Sequence, residues 1–232
     1  MVGPYRGLFN APGVKGFVIA GFVGRMPMSM LGIGMILLIE TLTDSYAMAG
    51  AVAATFNVAF AVAGPLSARL VDRYGQARVI VPLVLAHGAA LTGMMLCAVF
   101  GTPPWTLFAA AVAAGATAIS LGSLVRARWS HLLAGSAGLH AAFSFESVAD
   151  EVIFVGGPAL VTLLATMINP YAGLIVALVC TIGGTLAFAL QRGTQPPPAP
   201  ATGTRAVRSP SRGWPCCPAP SWRWARCSAR WI

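Results

Sequence analysis

Clusters of basic residues alternate along this chain with long apolar runs, and this alternation restricts what the chain can fold into. The basic residues around the runs form three groups: Arg6 and Lys15 before the first run, Arg69, Arg73 and Arg78 between the second and third, and Arg126 and Arg128 after the fourth. The other three segments between runs contain no Lys or Arg. Segments that stay on the cytoplasmic side of a membrane carry an excess of Lys and Arg. The pattern therefore predicts six spans with both termini in the cytoplasm.

The composition agrees with a membrane protein. The chain is 57% hydrophobic and 9% charged, whereas soluble domains have roughly 25% charged residues. Its net charge of +9 would suit a nucleic-acid partner. Nucleic-acid binding needs a folded face that presents the charge, and here the basic residues lie between spans or near the end of the chain. We therefore expect a lipid bilayer as the environment and no nucleic-acid partner.

Each apolar run is long enough for a transmembrane helix, which needs about 20 residues to cross a bilayer core. The predicted spans are Phe17 to Ile39, Tyr46 to Leu66, Val79 to Phe100, Trp105 to Val125, Leu139 to Ile168 and Tyr171 to Leu190. The first run lacks a small-residue cleavage site, which indicates a retained anchor rather than a signal peptide. The predicted fold class is an all-α, polytopic membrane protein.

The chain lacks the residue spacings that are typical of several classes of functional site. The chain has no His-Glu-x-x-His and no spacing of Ser, His and Asp typical of a hydrolase, so we expect no enzyme activity. It also lacks a Cys-x-x-Cys pair, and we expect no metal, no cofactor and no disulfide. His87, in the third run, is expected to pack within the helix bundle rather than to relay protons.

The segment between the second and third runs carries a recognisable pattern, Ala-Arg-Leu-Val-Asp-Arg-Tyr-Gly-Gln, over residues 68–76. It resembles the signature between the second and third helices of major facilitator superfamily transporters, Gly-x-Leu-x-Asp-Arg-x-Gly-Arg followed by a basic residue. The positions that match are Leu70, Asp72, Arg73 and Gly75. Ala68 and Gln76 replace a Gly and an Arg of the signature, and the next basic residue comes late, at Arg78.

The resemblance implies a role for this loop and an architecture for the chain. Asp72, Arg73, Gly75 and Arg78 would form a cytoplasmic latch that holds one access state and breaks as two halves of a transporter rock. An ordinary basic loop, in which Asp72 caps a helix starting at Val79, is the alternative. Residues 1–195 would be the amino-terminal six-helix half, built as two inverted three-helix repeats, with the substrate route between the halves.

Charged residues inside the spans are expensive in a bilayer and are functional candidates. They are Arg25 in the first run and Glu146, Asp150 and Glu151 in the fifth. At about 1.5 Å per residue, Arg25 and Glu146 lie at nearly the same depth, and Asp150 is one helical turn further on the same face. We therefore predict that Arg25 pairs with Glu146 or Asp150. The pair is either purely structural or contains a carboxylate that exchanges a proton, since burial favours a neutral carboxyl and a nearby Arg an ionised one.

The fifth run continues with Gly156, Gly157 and Pro158. This segment resembles a partial form of the Gly-Pro signature in the fifth helix of the superfamily's proton-coupled antiporters, although the later glycines are absent. Pro158 is expected to bend the helix and the two glycines to allow close helix approach. Two roles fit the pattern: a simple kink in the helix, or a structural barrier against leak through the transporter. The fourth run lacks the early Arg that many family members carry.

The resemblance and the buried charges lead to a functional prediction. We expect a secondary active transporter of the cell (plasma) membrane that exports small organic molecules, coupled to protons, by alternating access. One alternative is a half-transporter that is inactive without a second six-helix half or a second copy. The other is a membrane anchor whose basic tail recruits an anionic surface.

The composition changes abruptly after the sixth run. Residues 196–232 are rich in Pro, Arg and Trp, contain no apolar run of span length and are predicted to be a disordered cytoplasmic tail. A basic segment lying on the anionic inner leaflet is one interpretation. The favoured one is an out-of-frame reading of GC-rich DNA, which would make the chain the first half of a longer protein.

Overall fold

A computed structural model describes residues 9, 13–136 and 138–198 of the chain. These residues form seven α-helices and one short 3-10 turn, without a β-strand. The helices are α1 Val14–Thr43, α2 Tyr46–Tyr74, α3 Gln76–Val99, α4 Pro104–Thr117, α5 Leu121–Leu132, α6 Gly138–Met167 and α7 Ala172–Leu190, and the 3-10 turn is Arg192–Thr194. Within this part of the chain, six helical segments are long and apolar enough to span a membrane, with α4 and α5 together forming the fourth. The prediction of an all-α, six-span protein is confirmed.

The first turn between spans is shorter than predicted, because α1 continues through the polar residues that follow its apolar run. Thr41 and Thr43 are both helical, and the hydroxyl of each donates to a backbone carbonyl one turn back, at 2.7 Å. Asp44, with a left-handed φ of 50°, ends the helix. The side chain of Ser45 then caps α2 by accepting a bond from the Met48 backbone N–H at 3.3 Å.

The junction between α2 and α3 is a single residue, Gly75. Its φ of 88° is readily available to glycine. Asp72 and Arg73 lie in the last turn of α2 rather than in a loop. The alternative in which Asp72 caps a helix at Val79 is wrong, because α3 begins at Gln76 and its N-cap, Gly75, provides no side-chain bond.

The fourth span differs from the prediction of one continuous helix. It breaks between α4 and α5, where Ala118 adopts an extended conformation with ψ of 144°. No glycine or proline at residues 118–120 signals the break. Arg126 and Arg128, predicted to follow the span in a loop, belong to α5. Each guanidinium has an acceptor on another helix, Asp150 for Arg126 and Gln76 for Arg128.

Two apolar cores are stacked along the bundle. One core contains Met35, Leu91 and Ala111, and the other lies at the opposite end and contains Phe17, Trp129 and Phe188. We call the second end the basic end, because Arg73, Arg78 and Arg192 occur there. Between the cores is a polar layer to which every span contributes: Arg25, Asn57, His87, Ser120, Glu146, Asp150, Thr181 and Thr185.

Helix α1 occupies the centre of the bundle and packs against α7, α6 and α2. Its contact with α7 depends on glycine at both positions of closest approach, because a Cβ added to Gly184 would overlap the backbone of Gly24. Small residues of this kind allow helices to associate in lipid. The close contact places Arg25, the next residue along α1, in the interior of the bundle.

Candidate functional site

The polar layer contains an ion cluster centred on Arg25. Its Nη2 lies 2.6 Å from Glu146 Oε2 and its Nη1 lies 2.8 Å from Asp150 Oδ1. Its Nε donates to the Gly21 carbonyl at 3.1 Å. Glu146 and Asp150 lie one turn apart on α6, so one guanidinium reaches both carboxylates. The predicted pairing is present, with both acids rather than with one.

Two residues of α5 complete the cluster. Arg126 Nη2 contacts Asp150 Oδ2 at 2.5 Å, and Trp129 Nε1 donates to Glu146 Oε1 at 2.7 Å. Sequence reasoning missed both residues because it placed them in a loop. Their spacing of three would have put them on one helical face, had α5 been predicted as helix. Arg25, Arg126, Glu146 and Asp150 together carry no net formal charge.

The exposed fraction of the side chains increases across the cluster. Glu146 is 0% exposed and Arg25 only 2%, whereas Asp150 is 27% exposed and Arg126 is 43% exposed. Each oxygen of Glu146 has a hydrogen-bond donor, which compensates the loss of its hydration. Asp150 is thus the more exposed of the two carboxylates in this cluster.

A cavity of about 300 Å³ adjoins the cluster at the break between α4 and α5. Arg25 and His87 are the ionisable side chains that line it among the described residues, together with Asn57 and the break residues Thr117 to Leu121. Nonhelical backbone inside a bilayer is tolerated where it is buried in protein or lines a cavity. The break at Ala118 fits this requirement.

His87 compensates for the interrupted helix. Its Nδ1 lies 2.8 Å from the carbonyl oxygen of Ala114, which in a continuous helix would accept a bond from the N–H of Ala118. That N–H instead bonds to Gly115 at 3.2 Å. Because the carbonyl is an acceptor, His87 Nδ1 must carry the hydrogen. The expectation of a packing histidine is consistent with this contact.

The Gly-Gly-Pro segment lies within an unbroken helix, since α6 continues from Gly138 to Met167. Gly157 packs so closely on α1 that an added Cβ would overlap the Ser29 hydroxyl, whereas a Cβ added to Gly156 would meet nothing within 4 Å. Ser29 Oγ donates to the carbonyl of Ile153 at 2.8 Å, one turn before Gly157. Close approach therefore depends on one of the two glycines.

The residues of the predicted latch lie together at the basic end. Asp72, Arg73 and Arg78 are exposed, and the Arg73 guanidinium lies over the ring of Tyr74 at 5.3 Å. Asp72 forms no ion pair within the described ranges. Glu151 on α6 is also exposed and lacks an ion pair with the described residues. The structure therefore does not bring Glu151 into the cluster with Glu146 and Asp150.

A second buried arginine, Arg128, was not predicted. It is fully buried without a carboxylate partner among the described residues. Its guanidinium donates to four oxygens: Gln76 Oε1 at 2.9 Å, Phe188 O at 2.9 Å, Gln191 O at 3.1 Å and Thr194 Oγ1 at 2.9 Å. It also lies 3.6 Å from the centroid of the Phe188 ring. The carbonyls at the end of α7 stabilise a cation, so Arg128 joins α5, α3 and α7.

Comparison with known families agrees with the six spans and the loop pattern. Residues 17–229 match the family model for the Major Facilitator Superfamily. The chain belongs to the major facilitator superfamily. No curated protein and no solved structure matches it. Members of the major facilitator superfamily are transporters rather than enzymes, and this chain is a multi-pass membrane transporter of that superfamily.

Membership in the superfamily implies a lipid bilayer and a small-molecule substrate. The matched range extends to residue 229 and thus includes most of the segment predicted to be a tail. Apart from residues 196–198, that segment lies outside the described residues. Its assignment as a disordered tail, and its interpretation as an out-of-frame reading, stay predictions.

Proposed function

We propose that this superfamily member exports small organic molecules from the cell by alternating access, and that proton exchange at Asp150 drives the cycle. The observation that carries the proposal is the position of Asp150, bonded to both Arg25 and Arg126 and 27% exposed. We place the protein in the plasma membrane, and the distribution of Lys and Arg supports an orientation with the basic end, and both termini, in the cytoplasm.

The coupling step follows from the charges of the cluster. When Asp150 binds a proton, it loses its ionic attraction to Arg25 and Arg126, while Glu146 keeps its donors from Arg25 and Trp129. The net charge of the two arginines and two acids rises from zero to +1. The contacts of α6 with α1 and α5 weaken, which changes the relative energies of two access states. Because Arg25 lines the nearby cavity, the electrostatic potential inside the cavity would change as well.

Alternating access requires a second body against which this one moves. We propose a second six-helix half or a second copy of the chain. Asn57 on α2 and Glu151 on α6 support this, because both are exposed within spans where contact with lipid is costly. A cysteine placed at Asn57 should crosslink to the partner in membranes. A cysteine at Val62, which is exposed on the opposite flank of α2, should not.

The superfamily roles of the remaining candidates fit the same scheme. Asp72, Arg73 and Arg78 would form the latch with the partner body, and Gly75 would shape the turn between their helices. Gly157 and Pro158 would hold α6 tightly against α1. Two inverted repeats are supported by the helix neighbours, since α1 packs on α7 as α4 packs on α3, and α2 packs on α4 as α6 packs on α1.

Infrared spectroscopy of the purified chain tests the proton site without knowledge of the substrate. Titration with pH should produce a carbonyl band from a protonated carboxyl group, and Asp150→Asn should remove that band. Glu151→Gln is the matched control, because Glu151 lies one residue further along the same helix but outside the cluster. If both variants, or neither, retain the wild-type band, Asp150 is not the proton site.

A flux assay tests transport itself. In everted membrane vesicles, a proton gradient should drive accumulation of ethidium by the wild type and not by Asp150→Asn. Equal gradient-driven accumulation by both proteins would contradict proton coupling through Asp150. An absence of flux in the wild type, combined with the expected infrared titration, would favour the alternative of a half-transporter that needs a partner.

A further inference from the structure

A groove at the basic end lies between the first turns of α3 and the last turns of α7. Its volume is about 760 Å³, and the residues that follow the 3-10 turn close one side. We call it the basic-end groove and define it by Tyr74, Arg78, Val81, Leu186, Leu190 and Arg192. It is separate from the polar layer, since none of these residues lines the cavity beside Arg25.

The two arginines of the basic-end groove are available to a ligand. Arg78 and Arg192 are exposed, and their side chains form no hydrogen bond or ion pair with any residue that the structure describes. Arg25, Arg126 and Arg128 are in contrast each bonded within the bundle. Two unpaired guanidinium groups at one groove favour an anion, and Arg binds phosphate in a bidentate manner.

The walls of the groove indicate which anion. Val81 and Pro82 on α3 face Leu186 and Leu190 on α7, so the basic groups lie at one end of an apolar channel. A free inorganic anion gains nothing from apolar walls. A phospholipid presents a phosphate and an acyl chain in this order, and basic pockets between transmembrane helices bind anionic lipid headgroups.

We infer that the basic-end groove binds an anionic phospholipid. The headgroup phosphate lies between Arg78 and Arg192, with Tyr74 as a further hydrogen-bond donor, and an acyl chain follows the groove between α3 and α7. The occupant is a lipid of the leaflet that surrounds the basic end. This inference shares Arg78 with the proposed latch, but neither proton coupling nor the direction of transport enters it.

Lipid retention by the full chain in detergent tests the site. Native mass spectrometry with phosphatidylglycerol and phosphatidylcholine should show preferential binding of the anionic lipid. At about 1 kcal/mol for each basic residue near anionic lipid, the double variant Arg78→Gln with Arg192→Gln should bind phosphatidylglycerol about 30-fold more weakly. Its binding of phosphatidylcholine should change little.

A charge-matched control tests whether lipid binding depends on the groove or on the overall positive charge of the protein. Lys15→Gln with Arg69→Gln removes the same charge from exposed positions outside the groove and should retain wild-type binding. Equal losses in the two double variants would overturn the inference, as would equal binding of the two lipids by the wild type. Competition by inorganic phosphate alone at concentrations comparable to those of the lipid would also overturn it, by assigning a free-anion site.

Discussion

Replacement of Arg25 by Met should destabilise the folded chain more than any single change to the exposed part of the ion cluster. The substitution keeps much of the side-chain length and removes the charge from a position that is 2% exposed. Glu146, which is 0% exposed, then keeps Trp129 as its donor but has no cation. Breaking a buried ion pair by removing one partner costs about 3–5 kcal/mol. Arg126→Met, at a position 43% exposed, should cost about 0–1 kcal/mol.

Equilibrium unfolding in mixed micelles, at increasing fractions of sodium dodecyl sulfate, measures these free energies. The double variant Arg25→Met with Glu146→Gln removes the stranded charge, and it should be more stable than Arg25→Met alone because the two sites interact directly. If Arg25→Met costs no more than Arg126→Met, the pair is not buried from water as we argue. If the double variant is no more stable than Arg25→Met alone, the loss of stability comes from packing rather than from a stranded carboxylate.

Three further predictions concern packing and orientation. Gly157→Ala should cost about 1–3 kcal/mol in the same unfolding assay through overpacking, whereas Gly156→Ala, which meets open space, should be tolerated; similar losses would contradict the contact. Arg128→Met should cost about 3 kcal/mol, because several buried carbonyls lose their donor at roughly 1–3 kcal/mol each, and a loss below about 1 kcal/mol would contradict this account. In a cysteine-free background, cysteine at Thr43 should react with an impermeant thiol reagent from outside the cell and cysteine at Ser130 should not, and the reverse result would invert the proposed orientation.

The spans and the central ion pair could be predicted from the sequence because both depend on simple, local quantities. Span length follows from the thickness of the bilayer, and depth along a helix follows from the rise per residue. These two quantities placed Arg25 level with Glu146 before any helix packing was known. The ends of helices were less predictable. Helix α1 continues through Thr43, whereas the predicted first span ends at Ile39.

The break in the fourth span and the burial of Arg128 could not be predicted, because both depend on partners distant in sequence. The break at Ala118 is supported by His87, whose ring bonds the carbonyl left free at the end of α4. Arg128 is held by Gln76, the position at which the superfamily signature has an arginine, and by carbonyls at the end of α7. From the sequence, Gln76 is only a departure from the signature; in the structure its side chain is 3% exposed.

The polar layer links these observations to the surface of the protein. Charged and polar groups inside a bilayer require internal partners, and most members of the layer have them: Arg25 has two carboxylates, Glu146 has Trp129, and His87 has a carbonyl. Asn57 lines the cavity and donates to the Ala53 carbonyl at 2.9 Å, and Glu151 lies outside the layer, yet both side chains are exposed within their spans. A protein that satisfies its polar groups so thoroughly inside is not expected to leave these two in lipid. The faces of α2 and α6 that carry them are therefore where we expect the partner body to pack.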